Sequence, residues 1–245
     1  MQKKPSTKML RRSALREIRS TMGRFLAILS IIALGVGFFT GVRGTTPAMR
    51  HTVNKFWQEN QLYDYRLIST LGWDEDNVEA FRAQDGVRAA EGAQTLDALF
   101  EDIHDNEYVF KTHSIPQHVN LLELVEGRMP ERANEVLMDA GFPHDLQIGD
   151  CVYVSYENDE DTHDAFTYGC YTIVGSVHSS YYLNFERGTS TIGNGTVSAY
   201  LDLTPEGYDR DFYSEIFIRF DQDEMIYSDA YKNAMDARTE APGTR

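Results

Sequence analysis

The chain offers many groups that could do chemistry and few spacings that would let them. Seven histidines occur (His51, His104, His113, His118, His144, His163 and His178), and none stands in H-E-x-x-H or another close ligand pair. His113 and His118, five apart across Pro116, read as loop histidines facing solvent. No G-x-S-x-G supplies a nucleophile elbow, and His178-Ser179-Ser180 has no identifiable third partner. Carboxylates gather at Asp74-Glu75-Asp76 and Asp159-Glu160-Asp161; without neighbours to move their pKa values apart, they read as solvated faces. The phosphate-cradling G-x-x-x-x-G-K-S/T is absent, because the run Gly188, Gly193, Gly195 lacks the lysine and any helix signal. No catalytic residue, cofactor or metal is therefore expected in this chain.

Three stretches carry weaker signals. The acidic run at residues 157–164 (ENDEDTHD) could offer hard oxygen ligands to Ca²⁺, but it lacks EF-hand spacing and reads as a polar hairpin tip. The two cysteines are more informative. If residues 151–156 and 165–170 are the arms of one antiparallel hairpin, pairing Tyr156 with Ala165 sets Cys151 opposite Cys170, at the Cβ separation a bridge needs. An oxidising compartment would permit that disulfide; two small buried thiols is the other reading. Asn194-Gly195-Thr196 matches a glycosylation acceptor that only a eukaryotic secretory pathway would use. The surrounding loop, RGTSTIGNGT, reads as a connection in preference to a partner-contact surface.

The element that must position all of this is residues 25–42, FLAILSIIALGVGFFTGV, eighteen residues without a charge between Arg24 and Arg43. As a helix it reaches about 27 Å. That is enough for a hydrocarbon core of roughly 30 Å if both arginines extend to the interfaces. Residues 1–24 hold eight Lys or Arg against Glu17, a net of +7, whereas the whole chain carries −15 and the remainder therefore −22. The positive-inside rule then puts residues 1–24 in the cytoplasm and the bulk outside the cell membrane. A cleaved signal peptide has a similar layout, with an apolar region of about 7–15 residues. The longer run here favours an uncleaved anchor. The acidic balance argues against nucleic acid.

Around the span, residues 8–22 space Met9, Leu10, Ala14, Leu15, Ile18 and Met22 as one face of a basic amphipathic helix, or serve only as a positive flank that sets topology. Residues 43–62 read as a stalk helix with Pro47 near its start or at a kink. Residues 63–238 form one extracytoplasmic domain, and residues 239–245 a frayed tail. Within the domain the patterning predicts strands at residues 63–70, 87–101, 107–115, 135–140, 151–156, 165–177, 196–202 and 213–220. It predicts helices at 74–83 and 224–238. The fold class is α+β, antiparallel-rich.

ALREIRSTMGRFLAILSIIALGVGFFTGV resembles the opening of permease subunits in the FtsX-like, MacB-type family of bacterial ABC transporters. EGRMPERANEVLMDAG followed by DLQIGDCV resembles the ectodomain of that family, where a Gly-Arg-x-Pro turn precedes a strand and Leu-x-Ile-Gly-Asp opens the next hairpin. YTIVGSVHSSYYLNFERGTSTIGNGTVSAYLDL is similar to large Gram-positive members. The resemblance implies a MacB core-like ectodomain and a membrane permease subunit or its N-terminal fragment. It also implies a cytoplasmic ABC ATPase subunit as partner, and a second permease subunit or an extracytoplasmic protein beside it. Such permeases have further spans after the ectodomain, and no second long apolar run occurs here. A single-span anchored adaptor or sensor is the alternative, and a secreted hydrolase behind a signal peptide the third reading.

Overall fold

A computed structural model describes residues 16, 21–143, 145–182, 184, 186–222, 224–226 and 228–239. The amphipathic helix expected at residues 8–22 lies outside the described residues except for Arg16, Thr21 and Met22, and His144 lies outside them too. Two units divide the chain, one running to Asn54 and resuming at Met225, the other spanning Lys55–Glu224.

The first unit is dominated by helix α1 (Met22–Glu59), which carries the whole apolar stretch and buries no residue. Leu34 is 77 % exposed and Phe38 76 %. Thr40, Thr45 and Thr52 each donate their hydroxyl to the carbonyl four residues back, at 2.7, 2.9 and 3.1 Å, so these three hydroxyls are satisfied within the helix. Pro47 lies inside the helix and removes the amide that would otherwise bond to the Arg43 carbonyl. Residues 25–42 and 43–59 are thus segments of one helix, which ends three residues short of the expected Leu62.

In the second unit α1 ends because Gln61 adopts φ 54° and Leu62 N donates to the Trp57 carbonyl at 3.1 Å, a left-handed C-terminal cap closed by the buried Leu62. The chain then enters a three-stranded antiparallel sheet in which β10 (Tyr213–Phe220) lies between β1 (Tyr65–Trp73) and β2 (Val87–Ala93). Helix α2 (Glu75–Arg82) starts at a reciprocal cap, Asn77 N to Asp74 Oδ1 at 2.8 Å and Asp74 N to Asn77 Oδ1 at 3.2 Å. Its Val78 and Phe81 pack with Ala90, Ile216 and Ile218. Asp64 joins the two ends of the domain: its amide donates to Ile218 O, and its carboxylate accepts from Phe220 N at 2.8 Å and the Gln222 amide at 2.9 Å.

The larger sheet contains β3 (Thr95–Glu101), β4 (Glu107–Ser114), β5 (Leu122–Gly127), β6 (Glu135–Asp139), β7 (Cys151–Val154), β8 (Cys170–Ser179) and β9 (Ala199–Leu203), ordered β5-β8-β6-β9-β4-β3-β7. A further pairing of β7 with β8 closes six of them into a ring. The ten-residue β8 carries β7 along its first half and β5 along its second. Only β4–β9 and β6–β8 are parallel. Alternate residues fill the ring, among them Phe100, Phe110, Val136, Met138, Tyr171, Ile173, Leu201 and Leu203. With α2 on the small sheet, the fold is α+β.

Two expected strands are cut. Residues 87–101 divide at Gln94, whose amide donates to Ser114 Oγ and whose side chain donates to Arg210 O, both at 3.0 Å, so β2 and β3 serve different sheets. Residues 165–169 are not part of β8, because Ala165 and Phe166 are buried and residues 165 and 167 bond instead to Asp209 and Gly207. The tail residues 240–245 lie outside the described chain, and α4 (Asp229–Thr239) precedes them. 

Candidate functional site

Strand alternation that fills the ring with apolar residues turns their neighbours outward. On the outer face of β6, β9, β4 and β3 this places Asp139, Tyr200, Asp202, Lys111, His113, Thr95 and Asp97. The connection after β8 covers that face. Arg187 binds Asp139 through Nε to Oδ2 at 2.5 Å and Nη2 to Oδ1 at 3.0 Å, with the side chains 9 % and 1 % exposed. The same guanidinium lies 5.3 Å from the ring of Tyr182 and 5.2 Å from that of Tyr200, and it donates to Asn184 O. The two tyrosine rings are stacked 4.7 Å apart. Cation, carboxylate and aromatic faces together make a directed contact of the kind arginine forms better than lysine.

His113 sits beside them. Its Nε2 is 2.8 Å from Tyr182 Oη and its Nδ1 3.2 Å from Thr95 Oγ1, so neither ring nitrogen is free. Burial, with Lys111 and Arg66 nearby, pushes its pKa down to about 3, and the ring is neutral. Burial also raises Tyr182 and Tyr200, and takes Tyr181 up to about 12. Tyr200 Oη donates to Val177 O at 3.0 Å and accepts from Ser179 N at 2.8 Å. Tyr181 extends the aromatic contacts to Phe217 of the small sheet and to Tyr63 just before it, and in that sheet Arg66 grips Glu215 with both Nε, at 2.8 Å, and Nη2. The seam between the two sheets is thus built of tyrosine rings and paired charges.

The Gly-Arg-x-Pro turn has its own local logic. Gly127 has φ +81° and lies against Val174 O and Gly175 Cα of β8. Arg128 then holds Glu135 at 2.7 and 2.8 Å, and the Glu131 amide donates to the same carboxylate at 2.7 Å. The Arg128 hydrogen bond, with that amide, lowers the Glu135 pKa to about 2.

The sequence-flagged residues fall in separate places. Cys151 and Cys170 stand with Cα atoms 6.1 Å apart and sulfurs joined. The register differs from the expected one by two residues: Cys151 faces Thr172 and Tyr153 faces Cys170, so the cysteines are diagonal neighbours on one face. The cause is the burial of Ala165 and Phe166, which takes them out of the hairpin arm. In the acidic run, Asp159 caps the one-turn helix α3 (Glu160–His163), and Asn158 is fixed by bonds to Leu99 and Ser155. Among the described residues no group of three or more His, Cys, Asp or Glu is placed to hold a metal ion. His178 is exposed on β8 opposite Glu123, and no hydrogen bond joins it to Ser179 or Ser180 among the described residues. His113 is an engaged seam residue, while His118 is exposed. The loop at 187–196 folds back on itself through Ser190 N to Gly195 O, and its Ile192 packs on Leu99, Val109 and Val197.

Sequence reasoning missed Arg187, Asp139 and Asp202. The signal was present: EVLMDA sets Asp139, and AYLDL sets Asp202, inside an apolar strand, where a carboxylate needs a partner.

No protein-family model and no curated protein matches the chain. Solved structures of similar layout do exist. One is the extracellular domain of the noncanonic ABC-type transporter YknZ from Gram-positive bacteria, at 10 % identity over 70 % of this chain and 87 % of that chain, TM-score 0.42. Another is the periplasmic region of MacB from Actinobacillus actinomycetemcomitans, at 9 % identity over 70 % of this chain and 75 % of that chain, TM-score 0.40. Both are extracytoplasmic regions.

Proposed function

We propose that the chain is a membrane permease subunit of an ABC transporter, or the N-terminal part of one. Its sheet domain would meet cargo or a partner outside the cytoplasm, and a separate cytoplasmic subunit would hydrolyse ATP. The observation that carries this reading is the continuity of α1: one helix holds an uncharged, exposed eighteen-residue stretch and ends in a cap at Gln61 and Leu62. A helix that cannot hide its apolar surface in protein must place it in lipid. The basic residues before it orient residues 1–24 to the cytoplasm. The motif resemblance supplies the transporter family, and with it the ATPase and the second permease as partners.

The test is the size and location of the native polypeptide, read with an antibody to the sheet domain on fractionated cells, followed by affinity purification in mild detergent. A membrane band far above 27.9 kDa that co-purifies with a nucleotide-hydrolysing subunit supports the reading. A membrane band near that mass without such a subunit favours a single-span anchored adaptor. A smaller soluble product makes residues 25–42 a cleaved signal sequence.

A further inference from the structure

Asp202 is a carboxylate of the seam that its described surroundings do not explain. It is 2 % exposed, and its Oδ2 has no hydrogen-bond partner among the described residues. Each cation near it is already committed: Arg187 to Asp139, Lys111 to Asp97 at 3.0 Å, and Arg66 to Glu215. Of the other groups that face this region, His113 is engaged by Tyr182 and Thr95, and Tyr200 by Val177 and Ser179. Tyr208 lies buried nearby, its Oη likewise without a hydrogen-bond partner among the described residues. Glu91, at the seam's far edge, accepts three amides, from Gln117, His118 and Val119 at 2.6, 2.9 and 2.9 Å. An ionised Asp202 would therefore be a buried charge beside a second carboxylate, with no uncommitted counter-charge for it among the described residues.

Asp202 also lines a cavity of about 30 Å³ between the sheets, with His113, Ser179 and Asn120 on one side and Gly92 and Phe217 on the other. That space has room for a water, and although most of its wall is apolar, Asp202, His113, Ser179 and Asn120 bring polar groups to it.

We propose that Asp202 is a proton-binding site at this seam, held as the neutral acid, with one water in the cavity completing its hydrogen bonds. Burial and the neighbouring Asp139 both act in that direction, raising its pKa well above the ordinary carboxylate value. The sign follows from linkage: the contribution to stability is full below the unfolded-state value of about 3.9 and is lost as pH rises through the folded value. The docking of the two sheets is then tied to the proton concentration outside the membrane, independently of whether the chain serves a transporter.

The test is infrared spectroscopy of the full chain in detergent micelles. At pH 7 ordinary carboxyls are ionised, so a neutral-acid carbonyl band is expected in the wild-type protein and is expected to vanish in Asp202→Asn, whose amide mimics the neutral acid in shape. Absence of that band in the wild type, or its persistence in a folded variant, overturns the proposal. The wild-type spectrum decides the matter even if the variant does not fold. As a second measurement, raising the pH should lower the thermal midpoint of the wild type more than that of Asp202→Asn, and equal slopes would overturn the proposal.

Discussion

Arg187 and Asp139 lie 48 positions apart in sequence and form a two-pronged, nearly fully buried ion pair that fastens the connection after β8 to the outer face of β6. Removing one member leaves the other charged and dry, which costs about 3 kcal/mol or more. Arg187→Ala should therefore lower the unfolding free energy by roughly that amount, and should speed hydrogen exchange in residues 180–196 ahead of the barrel strands. Denaturant unfolding and exchange mass spectrometry on the full chain in micelles read both. Uniform exchange across the domain would mean that the pair does not fasten this segment in particular.

Two groups make acid destabilising, each in its own window and against the opposite contribution of Asp202. His113 is ordinarily half-protonated at 6.5 and in the fold only near 3, so the unfolded chain binds the extra proton between those values. The His113 contribution is lost as pH falls from about 6.5 towards 3, while that of Asp202 grows over the part of this range above about 3.9. Glu135, lowered from 4.5 to about 2 by Arg128 and the Glu131 amide, loses its contribution as pH falls through that lower range. Thermal midpoints measured against pH should show a shallower upper slope in His113→Asn with the lower one unchanged. An identical upper slope would place the sensitivity elsewhere.

The cysteine pair should be oxidised in the native protein, so intact-mass measurement after alkylation should find no free thiol without reductant and two with it. Closing a loop with a sequence separation of 19 residues stabilises by about 3 kcal/mol in the chain-entropy account, which the double Cys→Ser variant should forfeit. Two thiols alkylated in the unreduced protein would exclude the bridge.

Gly127→Ala should destabilise although it adds one methyl group. The new Cβ would come 2.3 Å from Val174 O and 2.7 Å from Gly175 Cα, at a φ of +81° that L side chains rarely adopt. The strain is of order 1–3 kcal/mol. A midpoint unchanged by the substitution, measured in denaturant, would show that the turn relaxes freely.

Much of this was legible in the residues because the signals were local. The strand at residues 135–140, the cap at Asp74 and the apolar span each announce themselves through alternation, a side-chain cap or length. The break at Gln94 was not, since nothing between Ala93 and Thr95 departs from strand chemistry; what divides them is Ser114, Arg210 and Ser214, all remote in sequence. The hairpin register failed for a related reason. Ala165 and Phe166 suit a strand arm as well as a core, and the core took them. The seam was half legible: a carboxylate amid apolar strand residues signals a buried partner, but not that Arg187 supplies it for Asp139 and nothing does for Asp202.

Asp64 brings the entry and exit of the sheet domain to one point, with the first rung of the β1–β10 ladder, Tyr65 opposite Ile218, immediately beyond it. In mechanical terms the two strands meet a load at their shared end. A force that draws both ends in the same direction tows the domain as a body and leaves each rung almost unloaded. A force that parts the two ends works on the rungs one at a time, beginning at Asp64, and peels the ladder from that end.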